Sequence, residues 1–402
     1  MKFSKFISFC SSLNLILTIA GYSFITTFLL PFNAAAEGMS QLITIPYRIL
    51  VLSLSLVIIF TLFKERIKTN YWIKFLLFFW ILYIARIIFD LSFRFDDFFT
   101  SESKFLYYSF VFFISFVPFL SIVYSYKYIY FDKVLIYSVV LLVISMIASL
   151  FSDSMLEENS RLTGNIALNP ISYGEVGAKA ILLSGFLFYK YKSLFIKIIL
   201  IGVIALGFFT LGRAASRGPL LGMFIAVFFY LIATQRNLVK SIITLLMCSL
   251  LVIIFQNYII DFIGFLSPTL KARVEASIYE NDSSSRDELF TAGINQFLDH
   301  PLFGNYFVLY PESGKGINTH NMVIDVLMSL GLIGGLFFIA LLIKGIYSSY
   351  ELIKEKSALN WVGSLFIFSI VSAMVGATFY MDSFFSVIMF LSFVASSKIK
   401  MN

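Results

Sequence analysis

The sequence has little charge for its length. Asp, Glu, Lys and Arg together make up 13% of its 402 residues, whereas soluble domains carry about 25%. Its only two cysteines, Cys10 and Cys248, both lie in apolar segments, so their spacing gives no disulfide framework and says little about redox compartment. This scarcity of charge excludes an ordinary soluble domain.

Apolar residues take the place of the missing charges. They make up 59% of the chain and fall in repeated runs, each long enough to cross about 30 Å of hydrocarbon as a helix. The short segments of alternating polarity that are typical of membrane β-barrels are absent. The net charge of +7 does not indicate nucleic-acid binding, because most Lys and Arg residues lie in short loops between these runs. The chain is therefore predicted to be an all-α, polytopic membrane protein that forms a single transmembrane domain over residues 1–402.

Breaks between the apolar runs predict about twelve transmembrane helices. They are expected near residues 10–31, 43–63, 72–93, 105–125, 134–152, 171–189, 194–211, 217–234, 241–260, 319–345, 360–379 and 383–397.

The connecting segments alternate in charge along the chain. One set is rich in Lys and includes "KERIKTN", "YKYKS" and both termini, whereas the other is rich in Asp and Glu and includes "RFDDFFTSES" and "DSMLEENSR". The excess of Lys and Arg in cytoplasmic loops predicts that both termini are cytoplasmic and that the second set faces outward. The turn "GRAASR" at 212–217 belongs to the outer set, so Arg213 and Arg217 stand on the side where cations are disfavoured.

Ionisable residues within predicted spans are costly and are candidates for function or internal pairing. All of them lie in the outer half of their spans, which indicates a water-filled cavity that opens outward. A transporter would place such groups near the midplane. Arg86 with Asp90 and Glu175 with Lys179 have i, i+4 spacing, so mutual neutralisation that locks helices together is the equal alternative. The residues are Arg48, Arg86, Asp90, Glu175, Lys179 and Asp325.

One long outer loop is predicted over residues 261–318. Within it, "SSSRDELFTAGINQFLDHPLFG" predicts a short amphipathic helix that begins at Ser285 and ends before Pro301. Its apolar face is expected to hold Leu289, Phe290, Ile294, Phe297 and Leu298. Arg286 in the first turn opposes the helix dipole, but together with free backbone N–H groups it forms a candidate anion site.

Histidine is also scarce, since the chain has two. His300 follows the predicted helix and is more typical of a structural residue, whereas His320 stands at the outer end of the tenth span, about one turn above Asp325. An interfacial His is usually a polar boundary residue. Imidazole is nevertheless the natural general base near neutral pH, so His320 is a candidate catalytic residue.

Four motifs in order resemble the O-antigen polymerase and ligase superfamily. They are "RLTGNIALNP", "LGRAASRGPLLG", "SSSRDELFTAGINQFLDHPLFGN" and "THNMVIDVLMSLGLIGG". The resemblance implies a glycosyltransferase of the GT-C type that acts on a glycan carried by undecaprenyl diphosphate at the periplasmic face of a Gram-negative inner membrane. Arg217 and Arg286 match the positions that bind diphosphate in the ligases, and His320 matches the catalytic base. Arg213 is a second candidate in the same turn. Where many relatives carry an acidic residue before "GLIGG", this chain has Ser329.

On this basis the chain is predicted to be an O-antigen polymerase of lipopolysaccharide biosynthesis. Donor and acceptor are both undecaprenyl-diphosphate-linked oligosaccharides, and the transfer is inverting. The expected partners are the bilayer and a polysaccharide chain-length regulator, with no nucleic acid. Arg161 is expected to bind the second diphosphate or a sugar, and Asp325 to orient His320. Weaker candidates for binding substrate are Arg48, Arg86, Glu175, Lys179, Asn321 and Tyr173.

No cofactor and no metal are expected. Metal-dependent relatives of the fold use acidic motifs in their first outer loop, which here offers only Glu37, although Asp96 and Asp97 are a substitute in the second. Two alternatives stay open: a ligase that transfers finished glycan to lipid A–core, and, from another class, a polysaccharide flippase or other transporter.

Overall fold

A computed structural model gives the fold. It describes residues 2–29, 39–65, 70–93, 102–151, 169–235, 254–279, 286–309, 318–376 and 378–399, with isolated positions between 237 and 251. Within those ranges the chain is all-helical and contains no strand. The predicted fold class is confirmed at that level.

The helices follow the predicted apolar runs. The first run is irregular, because α1 (Lys2–Ile16) continues through a π-helical turn (Leu17–Gly21) into α2 (Tyr22–Ile25) and a 3-10 turn (Thr26–Leu29). The other long helices are α3 (Met39–Leu62), α4 (Tyr71–Phe93), α5 (Glu102–Ser125), α6 (Phe131–Ser149), α7 (Pro170–Lys190), α8 (Leu194–Ala214), α9 (Arg217–Ala233), α13 (Met322–Lys354), α14 (Asn360–Gly376) and α15 (Ser383–Ile399). Three shorter ones precede α13, namely α10 (Gln256–Leu266), α11 (Pro268–Tyr279) and α12 (Arg286–Asp299).

Seven helical segments in the described ranges are long and apolar enough to cross a membrane, and three more apolar helices are shorter. Large apolar side chains such as Phe60, Phe63 and Phe93 are exposed on their surface, as expected of helices that face lipid. Much of the ninth predicted span lies outside the described residues. The count of twelve therefore stays a prediction.

Small and polar residues bring the helices together. A Cβ atom at Gly177 of α7 would lie 2.6 Å from the Gly207 carbonyl oxygen of α8, so these backbones touch. The Asn14 amide donates to Ser121 Oγ at 2.5 Å and to Ser55 Oγ at 3.2 Å, which joins α1, α5 and α3. Lipid is as apolar as Leu, so close backbone packing and interhelical hydrogen bonds stabilise such bundles more than apolar burial does.

Contacts between loops join residues of the same predicted set. In the Lys-rich set, Lys190 lies 2.5 Å from Asp132, and Lys127 pairs with Glu65. The Lys127 ammonium and the Tyr128 hydroxyl hold the pKa of the Glu65 carboxyl below its usual range. In the other set, Arg213 at the end of α8 donates to the Ser149 carbonyl at the end of α6. These contacts agree with the predicted grouping of the loops, which stays a prediction together with the side that each group faces.

The predicted loop at 261–318 is more helical than the sequence indicated. The expected amphipathic helix is α12, but α10 and α11 were not predicted, and Ser285 lies outside the described residues. On the expected apolar face Leu289, Phe290 and Phe297 are half-buried, whereas Ile294 and Leu298 are 44% and 61% exposed. The buried face passes through Gly293, where a Cβ would meet Thr319 at 2.6 Å and Ile324 at 2.7 Å. The rotation of α12 about its own axis is therefore set by close packing at Gly293 against Thr319 and α13, and not by apolar content alone.

α13 is broken at Gly331, which has φ +65° and ψ −163°. Residues 301–305 cross the helix at this point. Gly304 in that segment also has a positive φ, of +68°. The crossing segment pairs with backbone groups of the broken turn. Leu332 N–H donates to the Pro301 carbonyl at 2.7 Å, and Asn305 N–H donates to the Met328 carbonyl at 2.9 Å. Irregular backbone at membrane depth is tolerated where protein pairs its polar groups, and this crossing meets that condition.

Replacing Gly331 with alanine is expected to prevent folding. A Cβ there would lie 2.4 Å from the Leu302 carbonyl carbon, a backbone atom that has no room to move, and φ is positive as well. The cost should be about 4 kcal/mol or more, seen as loss of monodisperse protein in detergent. Gly202→Ala is the matched control, because a Cβ at Gly202 meets nothing within 4 Å. Equal yields and equal unfolding temperatures for the two variants would show that the chains do not cross so closely.

Candidate functional site

The turn between α8 and α9 presents the two arginines that the sequence singled out. Ala215 takes a left-handed conformation with φ 45°, which reverses the chain between Arg213 and Arg217. Arg217 is the first residue of α9, and Ser216 before it makes no side-chain cap. Pro219 lacks an N–H, and the remaining first-turn N–H groups have no intrahelical partner. A guanidinium beside an uncapped helix N-terminus is well suited to an anion.

Arg213 is anchored at the end of α8. Its Nη1 donates to the Ser149 carbonyl at 3.1 Å, and its guanidinium lies 5.9 Å from the Phe209 ring centre. The same Ser149 shares a 2.7 Å hydrogen bond with the Tyr173 hydroxyl. Arg213 therefore both supports the turn and leaves donors for a ligand.

His320 lies in a strained and tightly anchored loop before α13. It has φ 58°, a conformation that is uncommon outside glycine, and its side chain is exposed. Its neighbours are fixed on both sides: the Tyr380 hydroxyl donates to Asn318 Oδ1 at 2.9 Å, and the Asn321 amide donates to the Met374 carbonyl at 3.2 Å. Strain that surrounding contacts enforce is frequent where a side chain must be held for function.

That Asp325 orients His320 stays a prediction, and the hydrogen bonds of Asp325 lead to Thr319, the residue before His320. Asp325 is fully buried, and its Oδ1 accepts from the Thr319 N–H at 3.0 Å and from the Thr319 hydroxyl at 2.6 Å. It therefore positions the loop through Thr319, the residue next to His320. Asn321, a weaker candidate for binding substrate, is also used structurally, because its Oδ1 caps the first turn of α13.

The end of α14 brings the arginine turn and the His320 loop together. Met374 accepts the hydrogen bond from Asn321. A Cβ at Gly218 would lie 2.6 Å from Val375 Cγ2, so the first turn of α9 touches the next residue of α14. Arg217 and His320 are thus each one residue away from a contact with this helix end. The candidate site lies where α8, α9, α13 and α14 meet.

Arg86 is not in this group. Its guanidinium donates to the carbonyls of Asn305 and Phe303, each at 2.8 Å, and lies 3.7 Å from the buried Asp90. Asp90 in turn accepts from the Phe307 N–H at 3.0 Å. The pair attaches the 303–307 segment to α4, which supports the alternative of internal locking, and substrate binding by Arg86 stays a prediction.

The second i, i+4 pair lies on α7. Lys179 Nζ donates to Glu175 Oε2 at 2.9 Å, and Ser372 of α14 donates to the other carboxylate oxygen. Tyr173, two residues before Glu175, is 1% exposed and hydrogen-bonded, so it has no open ring face for a sugar. Arg48 is half-buried on α3 beside Tyr47.

Other predicted residues are described only in part or not at all. Arg286 begins α12, and its side chain lies outside the described atoms. Arg161 and the acidic candidates Glu37, Asp96 and Asp97 lie outside the described residues. Their roles stay predictions.

Sequence reasoning missed the residues that support the site. Thr319 and Tyr380 fix the His320 loop, and Tyr83 binds Ser329 with 3.1 Å between the hydroxyl oxygens. Ser329 is the position at which the resemblance led us to expect an acidic residue. Adjacency to His320 was an available signal for Thr319, whereas Tyr83 and Tyr380 gave none, because their partners are 246 and 62 positions away.

Comparison with known proteins agrees with the motifs. No curated protein and no solved structure matches the chain. The family model described as O-antigen ligase matches residues 202–339, which run from α8 into α13 and include Arg213, Arg217 and His320. The family-model match supports the resemblance to the O-antigen polymerase and ligase superfamily over residues 202–339.

Proposed function

We propose that the chain is an O-antigen polymerase that joins undecaprenyl-diphosphate-linked repeat units at the periplasmic face of the bacterial inner membrane. The observation that carries the proposal is that the arginine turn and the His320 loop, both within the matched residues 202–339, pack against the same end of α14. Both termini are cytoplasmic in this proposal, and a chain-length regulator is the expected protein partner.

The reaction requires a base and a stabilised leaving group. The acceptor hydroxyl attacks the anomeric carbon of the donor from the face opposite the diphosphate, so the configuration inverts. The bond between that carbon and the phosphate oxygen breaks, and its electron pair leaves with the diphosphate. His320 takes the hydroxyl proton. Charge that develops on the leaving oxygen is stabilised by guanidinium donors without a requirement for metal.

Arg217 is proposed as the main diphosphate ligand and Arg213 as the second. Arg217 stands at the uncapped start of α9, where the helix dipole and backbone N–H groups add to its charge. Arg213 has one nitrogen engaged with Ser149 and supports the same ligand from the end of α8. Arg286 is proposed as a third diphosphate ligand, because α12 packs through Gly293 against Thr319 beside His320. Arg161 keeps its proposed role at the second diphosphate or a sugar.

Deletion followed by gel analysis of lipopolysaccharide tests the proposal. A polymerase deletion should leave core that carries a single repeat unit. The ligase, which the description of the matched family model favours, would instead give bare core with accumulated lipid-linked polymer. Loss of a flippase would give bare core without polymer. Complementation with the intact gene is the control, and either bare-core pattern would overturn the polymerase assignment.

A further inference from the structure

A polar cavity of about 120 Å³ lies between the first helical run and α7. That volume corresponds to about four waters at ~30 Å³ each. Its polar lining residues come from two walls: Thr18, Tyr22, Ser23, Ser172, Glu175 and Lys179.

The first wall is shaped by the π-helical turn at Leu17–Gly21. π-Helical turns are rare and frequently lie at functional sites. The Tyr47 hydroxyl donates to the Leu17 carbonyl at 3.0 Å, so α3 supplies a hydrogen bond to this irregular turn. Thr18 and Ser23 donate their hydroxyl protons to carbonyls of their own helix, each at 2.9 Å. Their oxygens are left with lone pairs that can accept hydrogen bonds from a ligand.

The second wall carries the Glu175–Lys179 pair. The pair is held in place by Ser372, and Lys179 Nζ lies 4.2 Å from the Phe384 ring centre. The side chains of Lys179 and Glu175 are 12% and 25% exposed. A largely buried ion pair is a weak source of stability, since apolar replacements are often neutral. With zero net charge and both donors and acceptors, this wall suits a neutral polyol, unlike the cationic arginine turn.

One layer of side chains separates the cavity from the arginine turn. Tyr22 lines the cavity and packs against Tyr173 and Ala214, and Ala214 directly follows Arg213. Of all the rings of a lipid-linked glycan, the one attached to the diphosphate is closest to a diphosphate held at that turn.

We infer that this cavity is a subsite for the sugar ring linked directly to the diphosphate, whose hydroxyls bind Glu175 and Lys179. The inference rests on the proposed function for the position of the diphosphate. It assigns specificity for that sugar to α7 and the π-helical turn, and lipid-diphosphate affinity to the arginines.

Binding by the full-length protein in nanodiscs tests the subsite. The probes are undecaprenyl diphosphate and the same lipid carrying one hexose or one N-acetylhexosamine. The intact protein should bind at least one sugar-bearing lipid about tenfold more tightly than the bare lipid, which corresponds to about 1.4 kcal/mol. The double variant Glu175→Gln, Lys179→Met should lose this preference and keep its affinity for the bare lipid.

Two controls separate the outcomes. Arg217→Lys should weaken both lipids equally and keep the preference. Glu175→Gln alone retains hydrogen-bonding groups for Ser372 and Lys179, so it reports on the cavity if the double variant fails to fold. A preference that survives in a folded Glu175 variant would overturn the subsite.

A thiol-labelling experiment tests the sugar subsite separately from the proposed polymerase function. If the intact protein binds no lipid diphosphate, a Ser172→Cys variant should still react more slowly with a thiol reagent when methyl glycosides are present. Slower labelling would support the sugar subsite even though the polymerase proposal had failed. Unchanged labelling across a panel of glycosides would overturn the subsite itself.

Discussion

Replacing His320 with asparagine should lower the rate of glycan polymerisation by about 10²- to 10⁴-fold, the usual contribution of a general base. Asparagine is the informative replacement because it tolerates positive φ, and His320 has φ 58°. The loss then reflects the missing imidazole rather than a distorted loop. The measurement is lipopolysaccharide chain length in a deletion strain, together with the rate of purified protein on lipid-linked repeat units.

The chain provides its own control for this change. His300, the only other histidine, is exposed at the end of α12, and His300→Asn should leave the rate unchanged. Both variants should unfold at the temperature of the intact protein, since neither side chain is buried. Full chain length in a folded His320→Asn strain would remove the general-base role.

Replacing Arg217 with lysine should reduce activity by about 10²- to 10³-fold, the range seen when one preorganised donor to a developing oxyanion is lost. Lysine keeps the charge but loses the planar fork that binds two phosphate oxygens at once. The effect should fall on both the affinity for undecaprenyl diphosphate and the turnover rate, because the charge on the leaving diphosphate grows in the transition state.

Arg213→Lys is the comparison that ranks the pair. Arg213 already donates to the Ser149 carbonyl, and a lysine ammonium can retain part of that contact, so the loss should be smaller than at Arg217. A larger loss at Arg213 would make Arg213, and not Arg217, the main diphosphate ligand. Unchanged activity in both variants would mean that the turn does not bind the diphosphate.

The two i, i+4 pairs show why identical spacing does not give identical roles. Arg86 and Asp90 hydrogen-bond to backbone groups of the 303–307 segment. Glu175 and Lys179 contact other side chains and line a cavity. The sequence predicts both pairs equally well, because i, i+4 spacing describes one helix and not what packs against it.

The sequence alone determined the helical membrane class, the order of the described helices, and Arg213, Arg217 and His320 as candidates. These features are local: an apolar run, a charge in a turn or a short motif carries its signal within a few residues. Packing and partners were decided by the tertiary structure. Arg86 meets Asn305 across 219 positions, and Asn321 meets Met374 across 53. Gly331 is required because another part of the chain crosses α13 there. Such contacts depend on which helices become neighbours, and neither spacing nor composition in one segment contains that information.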